Sequence, residues 1–416
     1  MKLANGLTLL TTPMVGAESV TAILLVRVGS RDESKKINGL SHFVEHMVFK
    51  GTQKWPTTQA VNKVIDSVGG VFNAFTSQEY TGFWVKVAKK HLGLGLEFLN
   101  QIIFHCRLPE VELERERGVI LEEIKMRDDD PMVKVSDAFV SQVYSLTGLG
   151  QDVIGTTENI KTIKREEFFK HLKTWYQPKN MVLAVAGGIG KEVKEQADAI
   201  FRQIGTSEKK FTDQPEPLQF KQEKPSLQLI KKEIEQAHFC LGVRTFPRID
   251  KDRFGLAVLK TVLGGNTSSR LWNEIRENRG LAYYVRTSTD SFMETGYLET
   301  QAGCAINKLA ETVKITVNEY EKIGQKLISS QELKLAKEYL KGRLALAFED
   351  SQTVAGEYGE SLLMENRVVT LKEMRQKIDQ VSEAEVKRIA ERIFNPKQLN
   401  LTVVGSVADN RLRRLL

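Results

Sequence analysis

Two hydrophobic periods run through the first half of the chain, and together they predict a mixed fold. Short alternating or continuously apolar segments rich in β-branched residues predict strands at 7–11, 20–29, 71–76, 80–88 and 180–187. Segments whose apolar residues recur every three or four positions predict helices near 39–50, 57–69, 90–104, 109–127, 132–146, 164–176 and 190–203, with a turn at 128–131. We therefore expect an α+β fold.

The same pattern begins again after a stretch of different character. Three prolines lie among polar residues between Gly205 and Ser226, which predicts a linker at 208–226. Beyond it, Leu24–Arg31 has a counterpart in Leu241–Arg248, and Pro178 and Gly187 recur as Pro396 and Gly405, all at an offset of 217 or 218. We predict an internal duplication: two homologous α/β half-domains at 1–207 and 227–416, each an antiparallel-containing sheet flanked by helices.

Composition and charge exclude several classes of protein. The 416 residues are 41% hydrophobic and 27% charged, as in an ordinary globular protein, and no apolar run approaches the ~18 residues of a membrane span. The first residues lack the pattern of a signal peptide, and three widely spaced cysteines predict reduced thiols. The net charge of +7 is spread along the chain, which argues against nucleic-acid binding. We expect a cytoplasmic protein without membrane or nucleic-acid partners.

One predicted helix, near 39–50, carries a group of residues suited to metal chemistry. His42 and His46 are four residues apart, so a helix places them on one face, and Glu45 shares that face. Two imidazoles beside a carboxylate are typical of a catalytic zinc site, and His42-x-x-Glu45-His46 matches the inverted zinc-peptidase pattern HxxEH. The alternative is an amphipathic helix whose polar residues point to solvent.

A catalytic zinc ion takes a third protein ligand. The remaining histidines are isolated along the sequence, and each is more typical of a surface or packed residue. The Glu-rich helix near 113–126 offers an acidic ligand instead, because Glu123 lies beside its apolar stripe and Glu116 is two turns earlier on the same face. The alternative is that this helix face is simply solvated.

His42-Phe-Val-Glu45-His46, followed by 76 residues and then Glu123, resembles the M16 (pitrilysin-like) metallopeptidases, whose pattern is HxxEH, a similar gap and Glu. The resemblance extends over essentially the whole chain, and the length resembles the small two-domain processing-peptidase-like subfamily. The segments that carry it are 29–33, 46–52, 69–77 and 116–124 in the first half, and 264–271 and 275–285 in the second.

The resemblance implies a role for each matching residue. His42, His46 and Glu123 would hold one Zn²⁺ per chain, and spacing favours Glu123 over its neighbour Glu122. Glu45 would be the general base, and Glu116 would support the site from behind the ligands. The metal motif occurs only in the first half, so the second half would have another task.

The resemblance also implies which residues bind the substrate. Arg276 and Tyr283 match the family's pair that binds substrate backbone and the developing oxyanion, and spacing prefers them to Arg279 and Tyr284. The strand 72–76 matches the edge strand that pairs with the substrate. Its cleft-lining residues would be Phe72, Asn73, Ala74 and Phe75.

The implied function is that of a zinc-dependent endopeptidase, in which a metal-activated water hydrolyses extended oligopeptides or flexible presequences. The resemblance also implies a homodimer closing like a clam around a chamber, with the arginine and tyrosine reaching the partner's site. Two alternatives remain: a non-catalytic M16-like scaffold subunit of a larger complex, and a metal-binding or phosphate-binding protein of other function. Gly264-Gly-Asn-Thr-Ser-Ser lacks the lysine ending of a phosphate-binding loop.

Overall fold

The computed structural model describes residues 1–205, 218, 220–407 and 412–416, which form two compact units with one five-stranded sheet each. Most of the linker predicted at 208–226 lies outside these residues. Within the described ranges, no helix is both long and apolar enough to cross a membrane.

The strands and helices alternate in similar order in the two halves. The strands are β1 (Thr8–Pro13), β2 (Ser19–Val26), β3 (Val71–Thr76), β4 (Thr81–Ala88), β5 (Met181–Gly187), β6 (Ser226–Lys231), β7 (Gln236–Thr245), β8 (Ala282–Ser291), β9 (Gly296–Ala305) and β10 (Asn400–Gly405). The helices are α1 (Leu40–Met47), α2 (Thr58–Asp66), α3 (Leu92–Phe104), α4 (Glu110–Asp129), α5 (Pro131–Val143), α6 (Thr157–Thr162), α7 (Arg165–Trp175), α8 (Val193–Phe201), α9 (Arg253–Gly264), α10 (Leu309–Gln325), α11 (Ser330–Ala347), α12 (Ser351–Glu365), α13 (Leu371–Gln380) and α14 (Glu383–Ile393).

The two sheets have the same topology, which confirms the predicted fold class and duplication. The orders are β1-β5-β2-β4-β3 and β6-β10-β7-β9-β8, and in each sheet only the first pair is parallel. The register repeats as well: Leu24 pairs with Leu183, and Leu241 pairs with Leu401. These are the offsets of 217 and 218 seen in the sequence.

Each half contributes one helix to the sheet of the other half. Helix α12 packs on β2 and β5, where Thr21 and Ser351 share a buried hydrogen bond of 2.8 Å. Helix α5 packs on β7 and β10, and there the ring of Phe139 lies so close to Gly242 that a Cβ would meet it at 2.8 Å. The compact units therefore combine segments from both halves of the chain. The boundaries 1–207 and 227–416 remain a prediction about the duplicated sequence.

The strand and helix predictions for the first half agree with the structure within a few residues at most ends, with one omission. Helix α6 was not predicted, because its six residues bury only Ile160 and show no helical period. The turn at 128–131 is tighter than predicted: α4 continues to Asp129, and the Asp130 side chain then caps α5 by accepting from the N–H groups of Met132 and Val133.

Candidate active site

Helix α1 packs into the core through its apolar face, which leaves the residues of the HxxEH motif on the opposite face of the helix. The face that packs into the core consists of Leu40, Ser41, Phe43, Val44 and Met47. The ring of Phe43 contacts that of Phe168 on α7 at a centroid distance of 4.9 Å. His42, Glu45 and His46 are only partly buried, as the helical spacing predicts.

Helix α4 brings a carboxylate to the two histidines. The Nε2 atoms of His42 and His46 lie 3.7 and 3.6 Å from the same Oε2 of Glu123. One ligand atom from each of the three residues fits within 4.8 Å of the others. Two imidazole nitrogens and one carboxylate oxygen are a donor set that catalytic zinc sites use, and such a set leaves a further position for water or substrate. The residues therefore fit the metal that the motif implies.

Glu116 lies behind His46 and orients its ring. Glu116 Oε2 is 3.2 Å from His46 Nδ1, and the Lys50 ammonium is 2.7 Å from Glu116 Oε1. Burial alone would raise the pKa of Glu116, but the hydrogen bonds from His46 and Lys50 outweigh it and place the pKa below its ordinary value. An ionised Glu116 that accepts the Nδ1–H leaves the Nε2 of His46 available to a metal.

Glu45 is positioned by the strand beside it. The hydroxyl of Thr76, the last residue of β3, donates to Glu45 Oε2 at 2.6 Å. Burial raises the pKa of Glu45, and the nearby Glu123 acts in the same direction, whereas the hydrogen bond from Thr76 lowers it. A carboxylate whose pKa is raised toward neutrality is better matched to accepting a proton at neutral pH.

Strand β3 is the edge strand of the first sheet and pairs with β4 on one side. Its residues alternate between the two faces: Phe72 packs on Phe98 at a ring distance of 4.9 Å, and Ala74 also lies against the core. Asn73 is exposed, and Phe75 is half-buried. An edge strand of this kind presents backbone N–H and C=O groups to which an extended chain can pair.

Arg276 and Tyr283 belong to the second unit, where the structure brings them together. Arg276 lies on a π-helical segment, Trp272–Glu277, and its guanidinium is 4.3 Å from the ring centroid of Trp272 and 5.2 Å from that of Tyr283. Tyr283 is the extra residue of a β-bulge in β8 and is 77% exposed. Irregularities of both kinds commonly redirect side chains at functional sites.

The two neighbouring residues that could be mistaken for this pair have other contacts. Arg279 forms ion pairs with Glu274 and Glu311 at 3.5 and 3.6 Å. The hydroxyl of Tyr284 lies 2.9 Å from His238 Nδ1, and its side chain is only partly exposed.

The sequence matches known protein families and relatives over most of its length. Residues 10–157 match the family model described as insulinase (peptidase family M16), and residues 162–340 match the model described as the peptidase M16 inactive domain. The chain is 31% identical to a protein of Streptomyces coelicolor named as an uncharacterized zinc protease, over 99% of this chain and 90% of that protein. It is 33% identical to another protein of that name, YmxG of Bacillus subtilis, over 94% of each. The chain belongs to peptidase family M16.

Two solved structures share the fold over nearly the whole chain. A protease from Helicobacter pylori superposes with a TM-score of 0.91 at 24% identity, covering 97% of this chain and 98% of that one. A chain of complex III from Candida albicans superposes with a TM-score of 0.84 at 20% identity, covering 100% of this chain and 98% of that one.

The second M16 half has apolar residues where the first half has the predicted metal ligands and base. Helix α9 is the counterpart of α1, since it packs on β8 and α14 as α1 packs on β3 and α7. At the offset of 217, Leu259, Val262 and Leu263 replace His42, Glu45 and His46, and all three are buried in the core of their unit. This agrees with the description of the second M16 domain as inactive.

Three residues that support the site were not assigned a role from the sequence. They are Lys50, which pairs with Glu116; Thr76, which donates to Glu45; and Glu33, which contacts the start of α1. Hydrophobic periodicity carries no signal for such contacts. All three lie inside the segments 29–33, 46–52 and 69–77 that carry the resemblance to the family. Their position in these segments is the one signal in the sequence that could have pointed to a role at the site.

Proposed function

We propose that this M16 protein is a zinc-dependent endopeptidase that hydrolyses extended oligopeptides or flexible presequences. The observation that carries the proposal is the convergence of His42, His46 and Glu123 beside Glu45, at the end of an open edge strand. The naming of the relatives as zinc proteases supports the same metal.

The chain's own residues would perform the proton transfers. A bound zinc ion supplies Lewis-acid chemistry that lowers the pKa of a water in its coordination sphere to about 7. Glu45 would take the proton of the attacking water on the oxygen not engaged by Thr76, and then deliver it to the leaving amine. General base and acid catalysis of this kind contributes roughly 10²–10⁴-fold. Glu116 and Lys50 would keep the His46 ring in one orientation throughout.

The substrate class follows from the edge strand. A peptide that pairs with β3 must present several consecutive residues in extended conformation. Segments inside folded proteins are already paired with their own neighbours and do not meet this condition. The substrates would therefore be unstructured peptides or flexible segments, with Phe72, Asn73, Ala74 and Phe75 along their path.

The proposal is tested by cleavage of a pool of unstructured peptides, followed by mass spectrometry and zinc analysis. We expect cleavage that stops on addition of a chelator and returns with Zn²⁺, whereas the same sequences inside a stably folded protein remain intact. Stoichiometric zinc without cleavage would favour the scaffold-subunit alternative. Absence of zinc from the purified and zinc-supplemented protein would exclude the proposed mechanism.

Arg276 and Tyr283 would hold the substrate backbone and donate to the developing oxyanion. We propose that they act on the partner's metal centre in a homodimer that closes around a chamber. Tyr283 is suited to this because it is exposed and its ring is braced by the Arg276 guanidinium. Loss of one oxyanion donor costs about 10²–10³-fold in kcat.

The shared site predicts complementation between two defective variants. Glu45→Gln chains mixed with Tyr283→Phe chains should regain about a quarter of wild-type activity, since half of randomly formed dimers are mixed and each has one intact site. Peptidase activity is measured after subunit exchange has been demonstrated with labelled chains. The control pairs Glu45→Gln with the Glu45→Gln/Tyr283→Phe double variant, which should not recover. Failure of both mixtures with proven exchange would place the pair and the base of one site on the same chain.

A further inference from the structure

The metal-binding helix α1 begins without a capping side chain at its own N-cap. That position is Gly39, whose φ of +99° is a conformation that favours glycine. The helix has only eight residues, and helices this short are marginal unless their surroundings hold them. Both metal-binding histidines lie on it, at its third and seventh positions. Whatever fixes the start of α1 therefore also fixes the direction of His42 and His46.

The carboxylate of Glu33 takes the place of the missing cap. Its Oε2 accepts from the backbone N–H of Gly39 at 2.7 Å, and its Oε1 accepts from that of Ser41 at 2.5 Å. Asn38 Nδ2 also donates to Oε2, at 3.0 Å. The donor at Ser41 directly precedes the first metal ligand in the chain. One side chain from outside the helix thus satisfies two of the amide groups that a helix start leaves unpaired.

Glu33 is itself firmly anchored. The side chain is buried, and Gln151 Nε2 donates both to the Glu33 carbonyl at 3.0 Å and to the Ser30 carbonyl at 3.1 Å. The amide of Asn38 donates in addition to the Asp152 carbonyl at 2.8 Å. Burial raises the pKa of the Glu33 carboxyl to about 7, although the donors at Ser41, Gly39 and Asn38 act in the opposite direction. Glu33 is thus held at its backbone by Gln151 and at its carboxylate by Asn38, so it gives the start of the helix a fixed position.

We propose that Glu33 is a positioning residue for the metal centre, which fixes the start of α1 and thereby aims His42 and His46 at Glu123. The inference rests on the proposed zinc site. Successive residues of a helix point about 100° apart, so the position at which the helix starts decides the direction of every side chain on it. Metal–ligand distances tolerate changes of only about 0.2 Å. The apolar face of α1 keeps the helix attached to the core, so loosening its first turn disturbs the ligands before it disturbs the fold.

The experiment compares zinc affinity with stability in two cap variants. Glu33→Gln retains the volume of the side chain but replaces one of its two acceptor oxygens with an NH₂ group. The amide can therefore accept from the N–H of Gly39 or from that of Ser41, but not from both. Thr57→Ala is the matched control, because the Thr57 hydroxyl caps α2 by accepting from Ala60 N at 3.1 Å and that helix carries no metal ligand. Zinc affinity is measured at pH 8 by competition with a chromophoric chelator, and thermal unfolding is measured on the zinc-free proteins.

Glu33→Gln is expected to weaken zinc binding about 10-fold or more, as loss of a residue supporting metal ligands typically does. Thr57→Ala should lower the thermal midpoint about as much as Glu33→Gln does, but it should leave zinc affinity unchanged. Equal zinc affinity in Glu33→Gln and wild type, or equal weakening in both variants, would overturn the positioning role. Should the Gln variant not fold, Glu33→Asp replaces it, and its shorter side chain should likewise weaken zinc binding. A wild-type protein that binds no zinc would instead contradict the proposed function.

Discussion

Glu45→Gln is expected to lower kcat for cleavage of a flexible peptide by about 10²-fold or more, with zinc content unchanged. Glutamine fills the same volume and can still accept the hydrogen bond from the Thr76 hydroxyl, so the geometry of α1 and β3 is retained. It has no basic oxygen, so it cannot take the proton of the attacking water. The measurement is steady-state peptide cleavage together with metal analysis of the same sample.

The matched control for this substitution is Glu122→Gln. It removes the same charge from the same unit at a side chain that is 73% exposed and pairs only with Lys125 among the contacts of the described residues. Its activity should remain within a few-fold of wild type. Full activity in Glu45→Gln would mean that another group takes the proton, and loss of zinc together with activity would mean that Glu45 is needed for metal binding.

The fold could be predicted from the sequence to the extent that it depends on local patterns. Strand β3 has the predicted bounds, and the duplication read from an offset of 217 or 218 is repeated in the registers of the two sheets. The exchange of helices could not be predicted. The buried residues Val135, Phe139 and Val143 show that α5 covers an apolar face, but periodicity does not show which sheet provides it.

The sequence predicts the three residues that the structure brings together, whereas it does not predict the contacts that support them. The spacing of His42 and His46 is a local feature of one helix. The pattern of the Glu-rich helix offers Glu123 as a candidate, and the resemblance to M16 peptidases favours it over Glu122. The contacts of Lys50 with Glu116, and of Thr76 with Glu45, join residues 66 and 31 positions apart. Such contacts arise only when the sheet and its helices are assembled, because single polar residues give no periodic signal.

The second large effect is expected for Glu123, the proposed third ligand. Glu123→Gln should weaken zinc binding by about 100-fold or more, since loss of a residue that merely supports ligands already costs 10–100-fold. A neutral amide oxygen replaces the carboxylate oxygen that lies 3.7 and 3.6 Å from the two imidazoles, and it provides no charge to balance the metal ion. Chelator competition with purified protein measures the affinity directly, without dependence on activity.

Comparison of Glu123→Gln with Glu45→Gln then separates metal binding from proton transfer. Excess Zn²⁺ should restore part of the activity of Glu123→Gln, because occupancy limits that variant, but it should not help Glu45→Gln, whose metal is already bound. Glu122→Gln provides the test of which adjacent carboxylate is the ligand: it should bind zinc as wild type does. The reverse result, with weak binding in Glu122→Gln and normal binding in Glu123→Gln, would require α4 to turn by about 100° from the orientation that brings Glu116 to His46.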